Sequence, residues 1–406
     1  MAFPCKMLDE ILCRLPVKYL LRYRCVSKGW CSLIDSDLFV KKHLSRALEC
    51  NVGGLIINEG GKFYLAEDFK SNLDGGHDND NAVAVEIIDP LKTLISGADF
   101  VGAANGLVCV SKNKMNEFMV FNPSTRKSRK IPSAPAEFPR SFHMIETSLC
   151  GFGYDHVNDD YKIVKIAECY LQFRGIMAIV YSLKTNSWKR IQNAPVHNRI
   201  RFCGNWGMFG NGALNWLALM NTRNCYDIIV SFDLGNEQFK EVSFPVIEGP
   251  FVNFNSKSVV SDGGSLCVLD NYPNSRIDVW VMMTNSGAEN SWSKALSMEK
   301  EGTLAYSRFV RPVSFCRNGL SVLLEVDSSK LVWYDLERKT VKNLRICGMP
   351  NQFDSHVFTQ SLIPLNKHNT PQKPSQEKPH NVQHRRRDDI LSREFKLNLQ
   401  QGVLED

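Results

Sequence analysis

The sequence predicts an α+β chain with several domains: a small helical domain, a larger all-β domain and a disordered basic tail. Apolar residues fall at helical spacing over residues 3–44, and at strand spacing with a repeat of about fifty residues from Cys50 onward. After Pro364 the chain is polar and low in apolar residues, as disordered segments are. The predicted boundaries are 3–45, 50–363 and 364–406.

The first helix is predicted immediately before the pair Leu15-Pro16. Pro4 suits the first helical turn, and the residue before a proline avoids the α region, so the helix ends ahead of Pro16. Helical spacing places five apolar residues on one side: Met7, Leu8, Ile11, Leu12 and Leu15.

Three further short helices are predicted in the same domain. The second covers about residues 17–24, Ser27 caps the third, and residues 35–37 begin the fourth. The apolar residues that belong to these predicted helices are Leu20, Leu21, Trp30, Leu33, Ile34, Leu38, Phe39 and Leu44. A domain of this size cannot bury all of that apolar surface alone, so part of it should meet a partner.

Two other interpretations of the helical domain remain open from spacing and charge. It could be a cap folded onto the rest of the chain. It could also be a DNA-binding helix-turn-helix, because residues 3–44 carry eight Lys/Arg against four Asp/Glu.

The β-domain contains a repeated unit. A polar turn such as Asn105-Gly106 precedes an apolar strand, and an aromatic strand follows with a second polar turn. The aromatic anchors are spaced by 60, 51, 48 and 53 residues: Phe121, Tyr181, Phe232, Trp280 and Trp333. This period predicts a β-propeller of about six blades. A β-sandwich or two stacked barrels is the alternative, because the sequence does not reveal whether a ring closes.

Composition and charge exclude several classes of function. A net charge of +6 is too mild to indicate nucleic acid, and no apolar run is long enough for a membrane span. Asp9 and Glu10 interrupt what would be the apolar core of a secretory signal. The 13 cysteines contain no C-x-x-C pair, which favours a reducing compartment.

No catalytic, metal or cofactor site is predicted. The sequence lacks H-E-x-x-H, a phosphate-binding glycine motif and a G-x-S-x-G elbow. Residues 78–81 (DNDN) resemble the start of a calcium loop, but Ala82 and Val83 stand where a ligand and the turn glycine are required. In the tail, the basic residues 385–387 could be a nuclear address or a solvated run before a short amphipathic segment.

The residues from Pro4 to Trp30 resemble the plant F-box, P-x-x-x-L-x-E-I-L-x-R-L-P-V-K-x-L-L-R-x-R-C-V-S-K-x-W in this chain. Lys6 and Met7 depart from the family, which usually has an acidic residue and a leucine there. NPSTRKSRKIP from Asn122 and GFGYDHVNDDYKIVKI from Gly151 resemble the F-box-associated interaction domain.

The resemblance implies a non-catalytic adaptor of a Skp–cullin–F-box ubiquitin ligase, in which the β-domain captures a protein target. The residues it assigns to binding of a Skp-type adaptor, and through it cullin and RING subunits, are Pro4, Leu8, Ile11, Leu12, Leu15, Pro16, Val17 and Leu20. Target-binding residues stay unassigned, although Arg199, Arg201 and Trp206 lie in a plausible loop.

A narrower resemblance, in strands such as LVWYDLE and in the terminal RRRDDILSREFKLNL, points to a family member that negatively regulates plant immunity. It implies nucleotide-binding leucine-rich-repeat immune receptors as targets, in cytoplasm and nucleus. Two alternatives remain: a branch that captures secreted ribonucleases in pollen recognition, and a scaffold that works without a ligase.

Overall fold

The computed structural model describes residues 5–50, 53–67, 82–87, 92, 95–135, 145–169, 175–192, 200–222, 225–245, 257–262, 264–272, 275–283, 291–316 and 320–365. The predicted tail from Asn366 onward, the DNDN segment, Pro4 and Arg199 lie outside the described residues. Leu365 is described and buried, so packing of the β-domain continues two residues past the predicted boundary at 363.

The helical domain contains the four predicted helices among the described residues. They are α1 (Cys5–Leu12), α2 (Val17–Tyr23), α3 (Lys28–Ile34) and α4 (Asp37–Glu49). Ser27 caps α3, where its hydroxyl accepts a hydrogen bond from the Trp30 N–H at 3.1 Å, and Ser36 caps α4 in the same way. Leu38 is 85% exposed, whereas its neighbour Phe39 is buried.

The core of the helical domain also contains residues distant in sequence, since Leu362 is buried in it and Ile363 packs against it. Leu12, Val17, Leu20, Ile34 and Phe39 pack together, and Leu362 completes the cluster. Part of the apolar surface of the small domain is therefore buried against the β-domain, as a domain of this size requires.

The β-domain consists of repeated antiparallel sheets. Within the described residues there are four four-stranded sheets and one nine-stranded sheet. The first four-stranded sheet has the order β25-β1-β2-β3, with β1 (Gly53–Glu59), β2 (Lys62–Ala66), β3 (Ala84–Glu86) and β25 (Asp354–Thr359). The second contains β4 (Asp99–Ala104), β5 (Leu107–Lys112), β6 (Glu117–Asn122) and β7 (Lys127–Lys130). The other two contain β17 (Lys257–Asp262), β18 (Ser265–Asn271), β19 (Arg276–Met283) and β20 (Ser291–Glu299), and β21 (Val310–Phe315), β22 (Ser321–Val326), β23 (Lys330–Asp335) and β24 (Thr340–Asn343).

The prediction of about six separate blades is wrong. The described residues contain four separate four-stranded blades, and the other nine strands form a single sheet. Its strands are β8 (Ile145–Asp155), β9 (Asp160–Cys169), β10 (Gly175–Ser182), β11 (Ser187–Ile191), β12 (Ile200–Phe202), β13 (Trp206–Gly210), β14 (Ala213–Met220), β15 (Tyr226–Asp233) and β16 (Gln238–Ser243). A parallel pairing of β8 with β13, Cys150 with Trp206 and Gly151 with Gly207, joins what would be two blades. A Cβ at Gly207 would lie 2.5 Å from the Trp216 ring, so only glycine permits this approach.

The inner strands of the sheets form a closed ring. Contacts run from β25 to β4, from β4 to β8 and β13, from β13 to β17, from β17 to β21, and from β21 back to β25. The last strand, β25, pairs antiparallel with the first, β1. This arrangement is propeller-like and differs from both the sandwich and the stacked-barrel alternatives.

The ring has two distinguishable faces. Because the sheets repeat one strand order, their inner strands run in the same direction, as the parallel β8 and β13 do. The near face is defined as the end of the ring at which the inner strands end. It carries Asp159, which follows β8, and Leu362, which follows β25. We call the opposite end, where β17 begins at Lys257, the far face.

Contacts at the near face attach the helical domain. Lys41 Nζ of α4 lies 2.8 Å from Asp159 Oδ2, and Leu362 enters the helical core. The Asn122 side-chain amide donates to the carbonyls of Ser361 and Ile363 at 3.0 and 3.1 Å. The segment from Ser361 to Leu365 thus connects the two domains.

Replacement of Leu362 by alanine is expected to lower the free energy of unfolding of the helical domain by about 2 kcal/mol, since it opens a cavity at a nearly buried site. Urea titration followed by the helical circular dichroism signal measures this change. Pro364→Ala, at an exposed position of the same segment, is the control. An unchanged urea midpoint for Leu362→Ala would contradict the proposed packing.

Candidate partner-binding surface

Helix α1 places its apolar residues on two faces rather than one. Leu12 is 1% exposed in the core and Leu8 packs against the same core. Met7 and Ile11, one helical turn apart, remain 59% and 52% exposed. An apolar pair this exposed on a core helix is available to a partner protein.

The structure divides the residues predicted to contact a Skp-type adaptor. Leu12, Val17 and Leu20 are buried inside the helical domain, and their contact with an adaptor stays a prediction. Leu8 and Leu15 are partly buried, and Pro16 is exposed. Among the predicted residues that the structure describes, Ile11 and Pro16 are open to solvent.

Two further residues of the helical domain are apolar and exposed. Met7 and Tyr19 are exposed, and Tyr19 follows Pro16 by three residues at the start of α2. We call Met7, Ile11, Pro16 and Tyr19 the apolar surface. Sequence reasoning included Met7 in the α1 stripe but assigned it no binding role, and it gave Tyr19 no role at all. Helical spacing from Pro16 was the signal that could have identified Tyr19.

An ion-pair bridge fixes α1 against α4. The Lys42 ammonium donates to carboxylate oxygens of both Asp9 and Glu10. These hydrogen bonds raise the pKa of Lys42, and the bond from Lys42 lowers the pKa of Glu10. The bridge is solvent-exposed, so its main effect is to orient α1 with Met7 and Ile11 outward.

His43 closes the helical core behind the Leu15-Pro16 turn. Its Nε2 lies 3.0 Å from the Leu15 carbonyl oxygen, to which an N–H at this position donates. Burial lowers the pKa of His43, and the bond to Leu15 opposes that effect. The neutral imidazole therefore satisfies a carbonyl at the end of the segment that carries the apolar surface.

Folding of the helical domain is expected to weaken in acid because of His43. Its folded pKa lies below its unfolded value, so the unfolded state gains protons more readily, and stability is lost as the pH falls through about 6.5. Above that pH the contribution is fully present. His43→Gln, which keeps an N–H donor, should lose less stability than the natural chain between about pH 7.5 and about pH 5.5, as urea titrations at both pH values would measure. Equal losses in both proteins would contradict this role.

Other classes of site find no support in the described part of the chain. No group of three or more His, Cys, Asp or Glu there could hold a metal ion. No helix within it is long and apolar enough to cross a membrane. Of the loop residues considered for target binding, Arg201 and Trp206 are exposed.

Comparison with known families and proteins identifies the class. The F-box domain matches residues 2–42, and the F-box associated beta propeller domain matches residues 84–365. The F-box protein CPR1 of Arabidopsis thaliana is 31% identical, covering 98% of this chain and 99% of that protein. The F-box protein At4g22390 and the F-box/kelch-repeat protein At3g23880 of the same plant are 28% and 30% identical, over 98% and 80% of this chain.

A helical F-box domain attached to a β-propeller-like domain defines a protein of the F-box class. This chain belongs to the family of F-box proteins with an F-box associated beta propeller domain. Proteins of this family are typically adaptors rather than enzymes, and an F-box domain implies binding to a Skp-type partner.

Proposed function

We propose that this chain is the substrate-recognition subunit of a Skp–cullin–F-box ubiquitin ligase. The observation that carries the proposal is the apolar surface, whose four residues stay exposed on a helical domain that is attached to the propeller. A Skp-type adaptor would bind there and connect the chain to cullin and RING subunits. The propeller would hold a target close to the ubiquitin-conjugating enzyme, which raises the local target concentration.

The adaptor contact is assigned to exposed positions, with support from the residues beneath. Met7, Ile11, Pro16 and Tyr19 would meet the adaptor directly. Leu8, Leu12, Leu15, Val17 and Leu20 would hold the helices in position, and Pro4 stays a predicted contact. This assignment explains why a change at Leu20 would be uninformative: that residue is in the core, and its loss would impair folding as well as binding.

We further propose that the targets are nucleotide-binding leucine-rich-repeat immune receptors, whose proteasomal degradation would lower plant defence, in cytoplasm and nucleus. The support is the narrower sequence resemblance together with 31% identity to the F-box protein CPR1 over nearly the whole chain. A ribonuclease target, from another branch of the family, is the alternative outcome of the test.

Affinity purification of the tagged full chain from plant cells under proteasome inhibition, analysed by mass spectrometry, tests both levels. We expect adaptor, cullin and an immune receptor to be recovered together. Adaptor and cullin with a different target would retain the ligase function and contradict the immune assignment. Absence of the adaptor would contradict the ligase function and favour a scaffold that works without a ligase.

A further inference from the structure

The loop that joins β20 to β21 presents three exposed side chains at the far face. We call residues 300–309 the far-face loop, because they lead into β21, an inner strand that runs in the same direction as β17. Tyr306 is 92% exposed and Phe309 is 38% exposed. Arg308, between them in sequence, is also exposed. Two aromatic side chains this open within four residues are a candidate contact for another protein.

Hydrogen bonds attach both ends of the far-face loop to the sheet that precedes it. At the start of the loop, the Lys300 N–H donates to the Ser275 carbonyl at 2.8 Å. At its end, the Asn271 side-chain amide donates to the Arg308 carbonyl at 3.2 Å. Asn271 is the last residue of β18 and Ser275 directly precedes β19, so the loop is held along one side by these two strands.

The sheet that follows holds the end of the far-face loop from its other side. Asp327, in the turn after β22, accepts hydrogen bonds through Oδ1 from the N–H groups of Arg308 and Phe309, at 2.9 and 2.8 Å. The Asp327 N–H donates in turn to the Phe309 carbonyl at 2.9 Å. The backbone of the two residues is therefore fixed while their side chains stay exposed.

Buried side chains fill the inner side of the far-face loop. Leu304 is 0% exposed and packs in the core that the last two four-stranded sheets share. Lys300 is buried, and its Nζ donates to the carbonyl of the buried Ser307 at 3.2 Å. The Ser307 hydroxyl donates to the Leu304 carbonyl at 2.7 Å. Because the loop is already ordered, it would lose little further conformational entropy when its outer side chains meet a partner.

Arg308 provides a positive charge that no described residue neutralises through an ion pair. Arg276, on the adjoining strand, differs: its Nε lies 3.2 Å from Asp278 Oδ2, and its guanidinium lies 4.6 Å from the centroid of the Tyr272 ring. A free guanidinium binds a carboxylate through two parallel N–H donors. The charge of Arg308 therefore favours an anionic partner group.

The far-face loop suits a carboxylate better than a phosphate. Glu301, in the same loop, is exposed and forms no ion pair with any described residue. A phosphorylated side chain carries nearly two negative charges, so it would meet more repulsion from Glu301 than a carboxylate does. Tyr306 and Phe309 lie within three residues of Arg308, which a short extended segment can span.

We propose that the far-face loop binds a segment of the target protein in which an acidic residue lies next to an apolar residue. Arg308 holds the carboxylate, and Tyr306 and Phe309 contact the apolar side chain. The inference rests on the proposed function, which gives the propeller a target to capture. The helical domain contacts the near face through Lys41 and Leu362, so the segment and the adaptor would bind to different residues.

Four pools of immobilised nonapeptides test the far-face loop. Their central pair is leucine-glutamate, leucine-glutamine, serine-glutamate or leucine-phosphoserine, and the flanking positions are randomised among alanine, glycine and serine. Binding of the full chain, with and without co-expressed Skp-type adaptor, is measured by biolayer interferometry. We expect the leucine-glutamate pool to retain at least about threefold more protein than each of the other pools.

Matched variants locate the effect. Arg308→Gln should abolish the preference for glutamate over glutamine, whereas Arg338→Gln, at an exposed turn between β23 and β24, should preserve it. Tyr306→Ala should abolish the preference for leucine over serine, whereas Tyr226→Ala, at a 49% exposed tyrosine of β15, should preserve it. Both test positions are exposed, so the variants should unfold at the temperature of the natural chain.

Equal binding of the four pools, strongest binding of the leucine-phosphoserine pool, or unchanged preferences in Arg308→Gln and Tyr306→Ala would each overturn the proposal. Adaptor co-purification is recorded on the same preparations. Its failure contradicts the proposed function, and absence of the leucine-glutamate preference with adaptor retained contradicts the role of the far-face loop alone.

Discussion

Replacement of Ile11 by aspartate is expected to weaken binding of a Skp-type adaptor by about 100-fold. Ile11 is 52% exposed on α1, next to Met7, and makes only a small contribution to the helical core. The change removes an apolar side chain from the interface and buries a carboxylate there without a partner, which together cost about 3 kcal/mol. Titration of purified adaptor against the full chain, by isothermal calorimetry, measures the change.

Leu38→Asp is the matched control for Ile11→Asp. Leu38 is an even more exposed leucine, at 85%, but it lies on α4 outside the apolar surface. It receives the same charge, so it should bind the adaptor as the natural chain does. Thermal unfolding of both variants checks that the helices remain folded. Natural affinity in a folded Ile11→Asp protein would remove Ile11 from the interface.

Glu325→Ala is expected to lower the free energy of unfolding of the β-domain by about 4 kcal/mol. Glu325 is 0% exposed, and its Oε2 lies 2.8 Å from Arg311 Nη2 across the β21–β22 pair. The same oxygen accepts hydrogen bonds from the N–H and the hydroxyl of Ser355, at 2.7 and 2.6 Å. Removal of the carboxylate would leave a largely buried guanidinium and a buried N–H without their acceptor.

The position of this cluster gives the change its importance. Arg311 and Glu325 belong to the last four-stranded sheet, whereas Ser355 belongs to β25, the strand that closes the ring against β1. Arg311 Nη2 also donates to the Ser355 carbonyl at 2.6 Å. The cluster therefore links the closing strand to its neighbouring sheet, and its loss should open the ring at this junction.

Glu299→Ala provides the comparison for Glu325→Ala. Glu299 pairs with Lys339 at 3.2 Å, but both side chains are more than half exposed. Removal of this pair should change stability by less than about 1 kcal/mol. Urea titration of the two variants, followed by tryptophan fluorescence, separates the cases. Similar midpoints for both would mean that the buried cluster contributes no more than a surface pair.

Local patterns predicted the helical domain well and its surface only in part. Ser27 and Ser36 cap helices because a hydroxyl before a helix satisfies a free N–H, which depends on neighbours in sequence alone. Whether Ile11 or Leu12 faces the core depends on where the other helices lie, and an apolar stripe this wide fits several rotations of α1. The same limit explains why the exposure of Leu38 was not predicted and why Tyr19 received no role.

The sequence by itself determined the kind of element at most positions, because helical spacing, capping residues, Asn-Gly turns and the repeat of about fifty residues are all local signals. Its resemblance to the F-box family indicated the class of the protein. Only the tertiary structure decided that β8 and β13 join two blades into one sheet, that β25 closes the ring on β1, and that Leu362 completes the helical core. The physical reason is that these contacts join residues distant in sequence, so their energies depend on how whole elements pack and leave no periodic pattern in the chain.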